Sequence, residues 1–322
     1  MNHKPIIAVC GATATGKSRL AVLLAQKLSG EIVSSDSMQI YRGMDVGTAK
    51  PTAEEMAAVP HHMIDILEPN APYSVADYAA DAKAAIEDIG SRGRTPILCG
   101  GTGLYLDALV YDNKYSSDVD SAVTDAVKDK WTEFAEAHGV LAIHDRLREV
   151  DPKAADSIHP NNVRRVIRAL TIYETTGKTK TEWDAESRGE INPDFCVIGL
   201  RFADRERHRA VIAKRCRKMI ESGLVLETER LYHAGHLESG TTAAQAIGYK
   251  EILPYIRGEE TLEASEERLF YATCRYAKRQ ATWFYAKDYI RWLDVDGLVL
   301  GTETEDELLA RALRLITEEY GG

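Results

Sequence analysis

The segment Gly11-Ala12-Thr13-Ala14-Thr15-Gly16-Lys17-Ser18 constrains the fold of this chain more than any other. It matches the pattern G-x-x-x-x-G-K-[ST] at every fixed position, directly after the apolar run 6–10 and at the start of a predicted helix over 16–28. In such a strand–loop–helix unit, glycines let successive backbone amides point at an anion, and the helix N-terminus adds its positive end. The sequence therefore predicts that Gly11–Ser18 binds a diphosphate or triphosphate, with Lys17 as the cation and Ser18 as a ligand of Mg²⁺.

Short apolar runs recur along the chain and define the expected sheet. The first three are followed by Gly or Asp, which is typical of buried parallel strands, and helical stretches separate them. The predicted strands are 6–10, 31–34, 95–99, 195–200 and 289–295. This alternation predicts an α/β fold, a P-loop NTPase-like parallel sheet core flanked by helices on both faces.

Residues 113–195 interrupt that alternation. They contain helical stretches and polar loops without a clear strand, so we expect a mainly helical insertion domain there. The core then consists of residues 1–112 and 196–322, and its C-terminal part is largely helical.

Composition excludes several classes of protein. The 322 residues carry 50 acidic and 40 basic side chains, and this net charge of −10 argues against a protein that coats nucleic acid in general. The five cysteines are scattered and never form C-x-x-C, so neither a disulfide framework nor a zinc site is expected. Because no apolar run of about 18 residues and no signal segment is present, we expect no membrane association and a cytoplasmic location.

Two further segments fall at the carboxyl ends of the predicted strands, where ligands of open α/β sheets bind. Asp36 suits either a general base that activates a nucleophile beside a bound phosphate or a residue that forms a turn. Thr102, in the turn Gly100–Gly103, offers a hydroxyl to the site or only tightens the turn. The predicted strand 95–99 is followed by Gly100 and not by an Asp, which argues against a nucleotide hydrolase or motor. The adjacent His61 and His62 lack metal-ligand spacing and indicate a loop that enters a strand.

Two predicted helices carry basic faces. Helical periodicity places Arg164, Arg165 and Arg168 opposite an apolar face that includes Val166 and Ile167. Over 266–287, the residues Tyr271, Arg275 and Lys278 share a face. Both faces suit the phosphate backbone and bases of RNA, and both are equally compatible with solvated surfaces of packed helices.

Together these motifs resemble the bacterial tRNA dimethylallyltransferases, also called tRNA isopentenyltransferases. The resemblance rests on segments that follow one another in the order of that family from residue 11 to residue 284. They are Gly11–Ser18, Asp36–Pro51, Pro60–Asp65, Gly100–Tyr105, His159–Leu170, Gln245–Glu251 and Tyr276–Phe284.

The resemblance implies transfer of a dimethylallyl group from dimethylallyl diphosphate to N6 of the adenosine 3′ of the anticodon in tRNA, by an enzyme that we expect to be a monomer. It implies that the diphosphate occupies Gly11–Ser18 with Mg²⁺, and that Asp36, Thr102 and Lys17 form the catalytic centre. The residues expected to contact the tRNA are Asp36, Ser37, Met38, Gln39, Thr102, Arg164, Arg165, Val166, Ile167, Arg168, Gln245, Ala246, Ile247, Gly248, Tyr249, Lys250, Arg275 and Lys278.

The chain departs from the family pattern shortly after Asp204. Members of the family usually carry Leu-Tyr and then an Arg where this sequence has His208, Arg209 and Val211. The arginine that reaches the diphosphate is therefore open, and the candidates are Arg205, Arg209 and Arg215.

Other functions remain compatible with a P-loop followed by Asp36. A small-molecule or nucleoside kinase uses the same two elements for phosphoryl transfer, although it does not require the helix that carries Arg164–Arg168. An isopentenyltransferase acting on free AMP or ADP would use the same donor. A tRNA-binding protein without catalytic activity is disfavoured, because the P-loop, Asp36 and Thr102 are all intact.

Overall fold

The structure is a computed structural model that describes residues 5–113, 121–187, 189–238 and 241–320. The chain divides into two compact units, one formed by Met1–Leu109 with Asn192–Gly322 and the other by Val110–Ile191. The boundaries predicted from the sequence lie after residues 112 and 195.

A parallel sheet forms the centre of the first unit. Its strands are β1 (Ile6–Gly11), β2 (Gly30–Ser34), β3 (His61–His62), β4 (Thr95–Cys99), β5 (Phe195–Arg201) and β6 (Ile290–Asp294). They lie in the order β3-β2-β4-β1-β5-β6, and every neighbouring pair is parallel. The predicted α/β class with a parallel sheet is thereby confirmed.

Helices account for most of the remaining described residues. They are α1 (Lys17–Leu28), α2 (Ala53–Ala58), α3 (Val75–Ser91), α4 (Gly103–Val110), α5 (Ser121–Val150), α6 (Pro152–Ser157), α7 (Val163–Thr176), α8 (Lys180–Ser187), α9 (Arg205–Glu221), α10 (Leu224–His233), α11 (Tyr249–Ile256), α12 (Leu262–Tyr285), α13 (Asp296–Leu300) and α14 (Glu305–Tyr320), with a 3₁₀ turn at Ala243–Gln245. Within the described ranges, none of the helices has the length and apolarity that crossing a bilayer requires.

The histidine pair corrects the sequence analysis in one respect. His61 and His62 do not precede a strand but form β3 themselves, at the edge of the sheet beside β2. His62 Nε2 lies 2.7 Å from Oε2 of Glu31, a buried carboxylate of β2. A strand of two polar residues has no apolar run or alternation, so its sequence carried no strand signal.

Two apolar clusters fix the helices of the first unit. Ile7, Val9 and Ile97 belong to a cluster with Leu20 and Leu24 of α1, which extends to α14. A second cluster joins helices α9 to α12 with the segment around Tyr41. Burial of these side chains fixes the helices against the sheet, at roughly 25 cal/mol per Å² of apolar surface removed from water.

In the described part of the second unit, the regular elements are all helices. Helix α5 is interrupted at Gly139, whose φ of 84° and ψ of 168° are not helical. Its later part packs with α6 and α7 around an apolar core of Ile143, Leu147, Ala154, Ala155, Ile158, Val166, Ile167, Ala169 and Leu170. Helix α7 buries its apolar face, as the periodicity predicts, and exposes Arg164, Arg165 and Arg168.

In the first unit, the carboxylate of Glu227 in α10 anchors the loop around Gly47. Glu227 Oε2 accepts hydrogen bonds from the amides of Asp45 and Val46, and Oε1 accepts one from Gly47, all at 3.0 Å. The hydroxyl of Tyr249 donates to Oε1 at 2.7 Å. Because Glu227 and Tyr249 are buried, these bonds hold the loop against α10 and α11.

Replacing Gly47 by alanine is expected to destabilise the protein by roughly 1–3 kcal/mol. The added Cβ would lie 2.3 Å from the Tyr249 ring, and that ring cannot move without breaking its bond to Glu227. Gly90→Ala is the matched control, because nothing lies within 4 Å of a Cβ at this helical position and a gain of about 0.5–1 kcal/mol is expected. Urea unfolding followed by tryptophan fluorescence measures both. A Gly47→Ala protein as stable as the wild type would contradict this role of Tyr249.

Candidate active site

The exit from β1 into the P-loop depends on Gly11. Its φ is +134°, and a Cβ here would lie 2.3 Å from the carbonyl oxygen of Leu200 in β5. Only glycine tolerates both this conformation and this close approach. The loop continues through Ala14 and Gly16, which have φ values of 65° and 87°, and Gly16 is the N-cap of helix α1. The structure therefore contains the strand–loop–helix unit that the motif predicts.

The P-loop presents a row of backbone amides that have no acceptor in the described part of the chain. Gly16 caps α1 without a side-chain hydrogen bond, and the amides from Ala14 to Ser18 donate to no other described group. Such amides at a helix N-terminus attract an anion. Lys17 Nζ donates to Ala12 O at 2.7 Å, and burial lowers the pKa of Lys17 while nearby acidic groups, Asp36 among them, oppose that shift.

Asp36 stands at the carboxyl end of β2, where a turn fixes its orientation. Oδ1 accepts a hydrogen bond from the amide of Met38 at 2.9 Å. The turn-forming role that the sequence left open is therefore present, and it orients the carboxylate. Burial raises the pKa of Asp36, and the Met38 amide, Lys17 and Arg215 counteract part of this increase. A carboxylate with a raised pKa is a stronger base, which suits proton abstraction.

Thr102 connects the turn after β4 with the segment that carries Asp36. Its Oγ1 accepts a hydrogen bond from the amide of Ser37 at 3.0 Å and donates to Ser37 Oγ at 3.3 Å. Thr102 is thus directly beside the residue that follows Asp36, so the two sequence-predicted catalytic positions are adjacent.

The structure separates the three arginines of α9. Arg215 lines the same cavity as Lys17 and Asp36, and burial lowers its pKa while Asp36 opposes the shift. Arg209 instead lies over the ring of Phe270, 5.2 Å from its centroid, and 3.6 Å from Glu206. Arg205 is exposed and does not line the cavity. Arg215 is therefore the arginine placed to meet an anion at the P-loop.

Gln280 is a site residue that the sequence analysis did not single out. It is only 6% exposed, and its amide joins two loops of the site: Nε2 donates to Gly101 O at 2.8 Å, and Oε1 accepts from the amide of Thr13 at 2.8 Å. The available signal was its position among the apolar residues of α12, where a buried amide requires hydrogen-bond partners.

A cavity of about 480 Å³ brings these groups together. It also contains apolar side chains that could receive a hydrocarbon group, Val22, Ile32, Ile64 and Ile247 among them. The other residues of its lining include Thr13, Ala14, Gly16, Lys17, Ser18, Asp36, Ser37, Met38, Gln39, Gly100, Gly101, Arg215, Gln245, Ala246, Lys250, Tyr276, Arg279 and Gln280. An anion-binding loop, a carboxylate and an apolar wall in one cavity can support transfer of an apolar group away from a phosphate.

Comparison with known proteins identifies the family. The sequence pattern of the family described as IPP transferase matches residues 39–287. A tRNA dimethylallyltransferase of Caldanaerobacter subterraneus subsp. tengcongensis is 48% identical to this chain and covers 90% of it and 92% of its own length. This chain belongs to the IPP transferase family. The resemblance that the motifs indicated is thereby confirmed.

Solved structures of related enzymes have the same fold. The full-length tRNA isopentenylpyrophosphate transferase of Bacillus halodurans is 40% identical, with a TM-score of 0.68 over 99% of this chain and 98% of that one. A eukaryotic dimethylallyltransferase acting on tRNA is 29% identical, with a TM-score of 0.81 over 98% of this chain and 80% of its own. The P-loop NTPase-like core predicted from the sequence is therefore the fold of this IPP transferase.

The positions that the sequence analysis assigned to tRNA contact differ in their exposure. Among them, Ser37, Met38, Gln39, Gln245 and Lys250 line the cavity, and Arg275 and Lys278 lie exposed on α12. In the second unit, Arg164, Arg165 and Arg168 are exposed on α7. The side chains of Ala246, Tyr249, Val166 and Ile167 are buried, so in these segments the exposed neighbours are the ones available to an external ligand.

Inorganic diphosphate is expected to bind this IPP transferase at the P-loop. Isothermal titration calorimetry with Lys17→Ala should show at least a tenfold loss of affinity, and Arg215→Ala a similar or smaller loss, since each variant removes a cation from a partly desolvated anion site. Arg205→Ala is the matched control, because that arginine lies outside the cavity. Equal affinity of Arg215→Ala and the wild type would contradict the assignment of Arg215.

Proposed function

We propose that this IPP transferase transfers a dimethylallyl group from dimethylallyl diphosphate to N6 of the adenosine 3′ of the anticodon in tRNA and releases diphosphate. The main observation in support of this proposal is that one cavity holds the Asp36 carboxylate together with Lys17, Arg215 and the P-loop amides. The choice of donor and acceptor is supported by relatives that are tRNA dimethylallyltransferases and by the related eukaryotic enzyme acting on tRNA.

The proposed reaction is a displacement at C1 of the dimethylallyl group. N6 of the adenosine forms a bond to C1 while the bond from C1 to the diphosphate oxygen breaks, and the leaving oxygen takes the electron pair. The proton of N6 passes to Asp36. Lys17, Arg215 and the amides of the P-loop stabilise the negative charge that grows on the diphosphate, which lowers the barrier because that charge is largest as the bond breaks.

Mg²⁺ fits this site as a companion of the diphosphate. In the described part of the chain, no cluster of three or more His, Cys, Asp or Glu side chains could hold a metal ion without the substrate. Proteins commonly bind Mg²⁺ through one or two oxygens together with substrate phosphates. Ser18, which lines the cavity at the start of α1, is the residue that we propose holds it. When bound, Mg²⁺ would neutralise part of the charge of the diphosphate.

The acceptor adenosine has to leave the stack of the anticodon loop to reach this cavity, because a stacked base does not expose N6 to a buried carbon. We propose that Ser37–Gln39 and Gln245–Lys250 line the place that receives it, and that Arg164, Arg165 and Arg168 bind the RNA backbone. None of these three arginines forms an ion pair with another residue in the described ranges. We propose that the enzyme acts as a monomer, and tRNA as acceptor supports a cytoplasmic location.

The decisive experiment incubates the protein with Mg²⁺, radiolabelled dimethylallyl diphosphate and unmodified tRNA, and measures label in the RNA. The same reaction with AMP or ADP as acceptor tests the free-nucleotide alternative, and incubation with ATP and metabolites tests a kinase. Label in RNA is expected. Transfer of phosphate from ATP without label in RNA would refute the proposal.

Asp36→Asn is expected to lower kcat by about 10²–10⁴-fold, the usual contribution of a general base. Asparagine retains the oxygen that accepts from the Met38 amide, so the turn should persist and tRNA affinity should stay within about twofold. Single-turnover kinetics and filter binding measure the two quantities. A large loss of tRNA affinity with an unchanged chemical rate would assign Asp36 to binding instead.

The pH dependence follows from the same carboxylate. Because the pKa of Asp36 is raised above the ordinary value of 3.8, kcat/KM should fall as the pH decreases through a value above 3.8, since a protonated carboxyl group cannot accept the N6 proton. The acidic limb should disappear in Asp36→Asn, whose residual activity has no such group to titrate. An unchanged limb in that variant would mean that another group is responsible.

The double variant Arg164→Ala, Arg168→Ala should weaken tRNA binding and reduce the slope of log K against log salt by roughly 1.5–2, because two phosphate contacts are lost. Arg146→Ala with Arg148→Ala is the matched control in the same unit, since these arginines face Glu149 and Asp156. A slope equal to that of the wild type would make the face of α7 a solvated surface.

A further inference from the structure

Both peptide groups of Thr13 are held by side chains from distant parts of the first unit. The amide of Thr13 donates to Oε1 of Gln280 at 2.8 Å, and the carbonyl oxygen of Thr13 accepts from Nε2 of His208 at 2.9 Å. Gln280 comes from α12 and His208 from α9, which pack against each other. Thr13 is therefore attached to a rigid helix pair at the point where the P-loop leaves the sheet.

Hydrogen-bond chemistry fixes the orientation of both side chains. A carbonyl oxygen only accepts, so His208 must carry a hydrogen on Nε2, and a backbone amide only donates, so Gln280 must present Oε1 to Thr13. The same orientation lets Nε2 of Gln280 donate to Gly101 O. His208 is also held by stacking on Phe202, with ring centroids 4.9 Å apart and an interplanar angle of 18°. Neither side chain can rotate without losing these contacts.

The space around Gly101 depends on Gln280. A Cβ at Gly101 would lie 2.2 Å from Nε2 of Gln280, closer than atoms in contact ever approach. A side chain at position 101 would therefore displace the amide that holds Thr13. This gives an independent way to disturb Gln280 without changing it.

The P-loop amides on the two sides of Thr13 O differ in their hydrogen bonding. The amide of Thr13 donates to Gln280, whereas the amides from Ala14 to Ser18 donate to no other described group. The anchored residue thus directly precedes the amides that would face an anion. An arrangement of donors that is fixed before the ligand arrives loses less conformational entropy on binding.

We propose that Gln280 and His208 are positioning residues that together form a Thr13 clamp, which holds the P-loop amides in the arrangement that receives the diphosphate of the donor. Gln280 additionally ties the P-loop to Gly101 and so to the neighbouring Thr102. The inference rests on the proposed function for the identity of the donor, but not for the binding of diphosphate itself.

The test compares Gln280→Met and His208→Phe with the wild type. Methionine keeps the size of Gln280 without its hydrogen bonds, and phenylalanine keeps the stack on Phe202 without the Nε2 donor. Each variant should raise the dissociation constant of inorganic diphosphate with Mg²⁺, and the KM for dimethylallyl diphosphate, by about tenfold, the effect of one buried hydrogen bond. The KM for tRNA should change less than twofold, a split that general loss of structure would not produce.

Three further variants sharpen the test. Gly101→Ala should reproduce the effect of Gln280→Met, because it displaces the same amide. His208→Gln should recover part of the affinity, because its Nε2 can donate to the Thr13 carbonyl. Ser265→Ala is the matched control on α12, since this buried hydroxyl bonds to Glu260 and does not line the cavity. Melting temperatures show whether each variant is folded.

The outcomes separate the clamp from the proposed function. Diphosphate affinities of folded Gln280→Met and His208→Phe within twofold of the wild type would overturn the clamp, even if the wild type prenylates tRNA. An equal loss in Ser265→Ala would also overturn it, because the effect would then reflect helix packing. Tenfold losses confined to the clamp variants would support it, even if the wild type failed to label RNA, which would refute the proposed function alone.

Discussion

The close approach of β1 and β5 at Gly11 is the constraint on which the site depends. Gly11 pairs with Leu200, and a Cβ at position 11 would lie 2.3 Å from the carbonyl oxygen of Leu200. The chain can therefore leave the sheet here only with a residue that lacks Cβ. The P-loop that follows is therefore directed over the carboxyl edge of the central strand. The groups of the site that come from β2 and β4 reach the same edge because all strands are parallel.

The charges of the cavity are arranged so that partial burial favours the chemistry. Burial shifts the pKa of Asp36 upward and those of Lys17 and Arg215 downward, while the attraction between the carboxylate and the two cations counteracts each shift. The carboxylate of Asp36 is therefore more basic than an exposed one. Basic side chains outnumber acidic ones in the lining of the cavity, which suits a ligand that carries several negative charges.

Much of this site could be predicted from the sequence, because its parts are local. The P-loop is a contiguous motif with a required context, and Asp36 and Thr102 follow strands whose apolar runs are visible. The sequence does not show which arginine of α9 lies at the site. Arg205, Arg209 and Arg215 are all on this helix, and only its packing in the fold decides which of them lines the cavity. The edge strand at His61–His62 gave no signal because its formation depends on pairing with β2.

The contacts that sequence reasoning missed are those between residues far apart in the chain. Glu227 is separated from Gly47 by 180 residues, and Gln280 from Thr13 by 267. No periodicity or motif reports such a pairing, although a polar side chain on an otherwise apolar helix face signals that a partner exists. Family resemblance supplied the reaction, whereas only the structure supplied these bonds and the burial of Tyr249.

The carboxylate of Glu227 has a consequence for the dynamics of the segment that it holds. Loop amides ordinarily exchange with solvent deuterium within seconds, because brief fluctuations expose them. The amides of Asp45, Val46 and Gly47 share a single desolvated acceptor, so none can open alone without leaving that acceptor short of a donor. These three positions should therefore exchange together and as slowly as the amides of the sheet, which would mark the loop as part of the rigid framework.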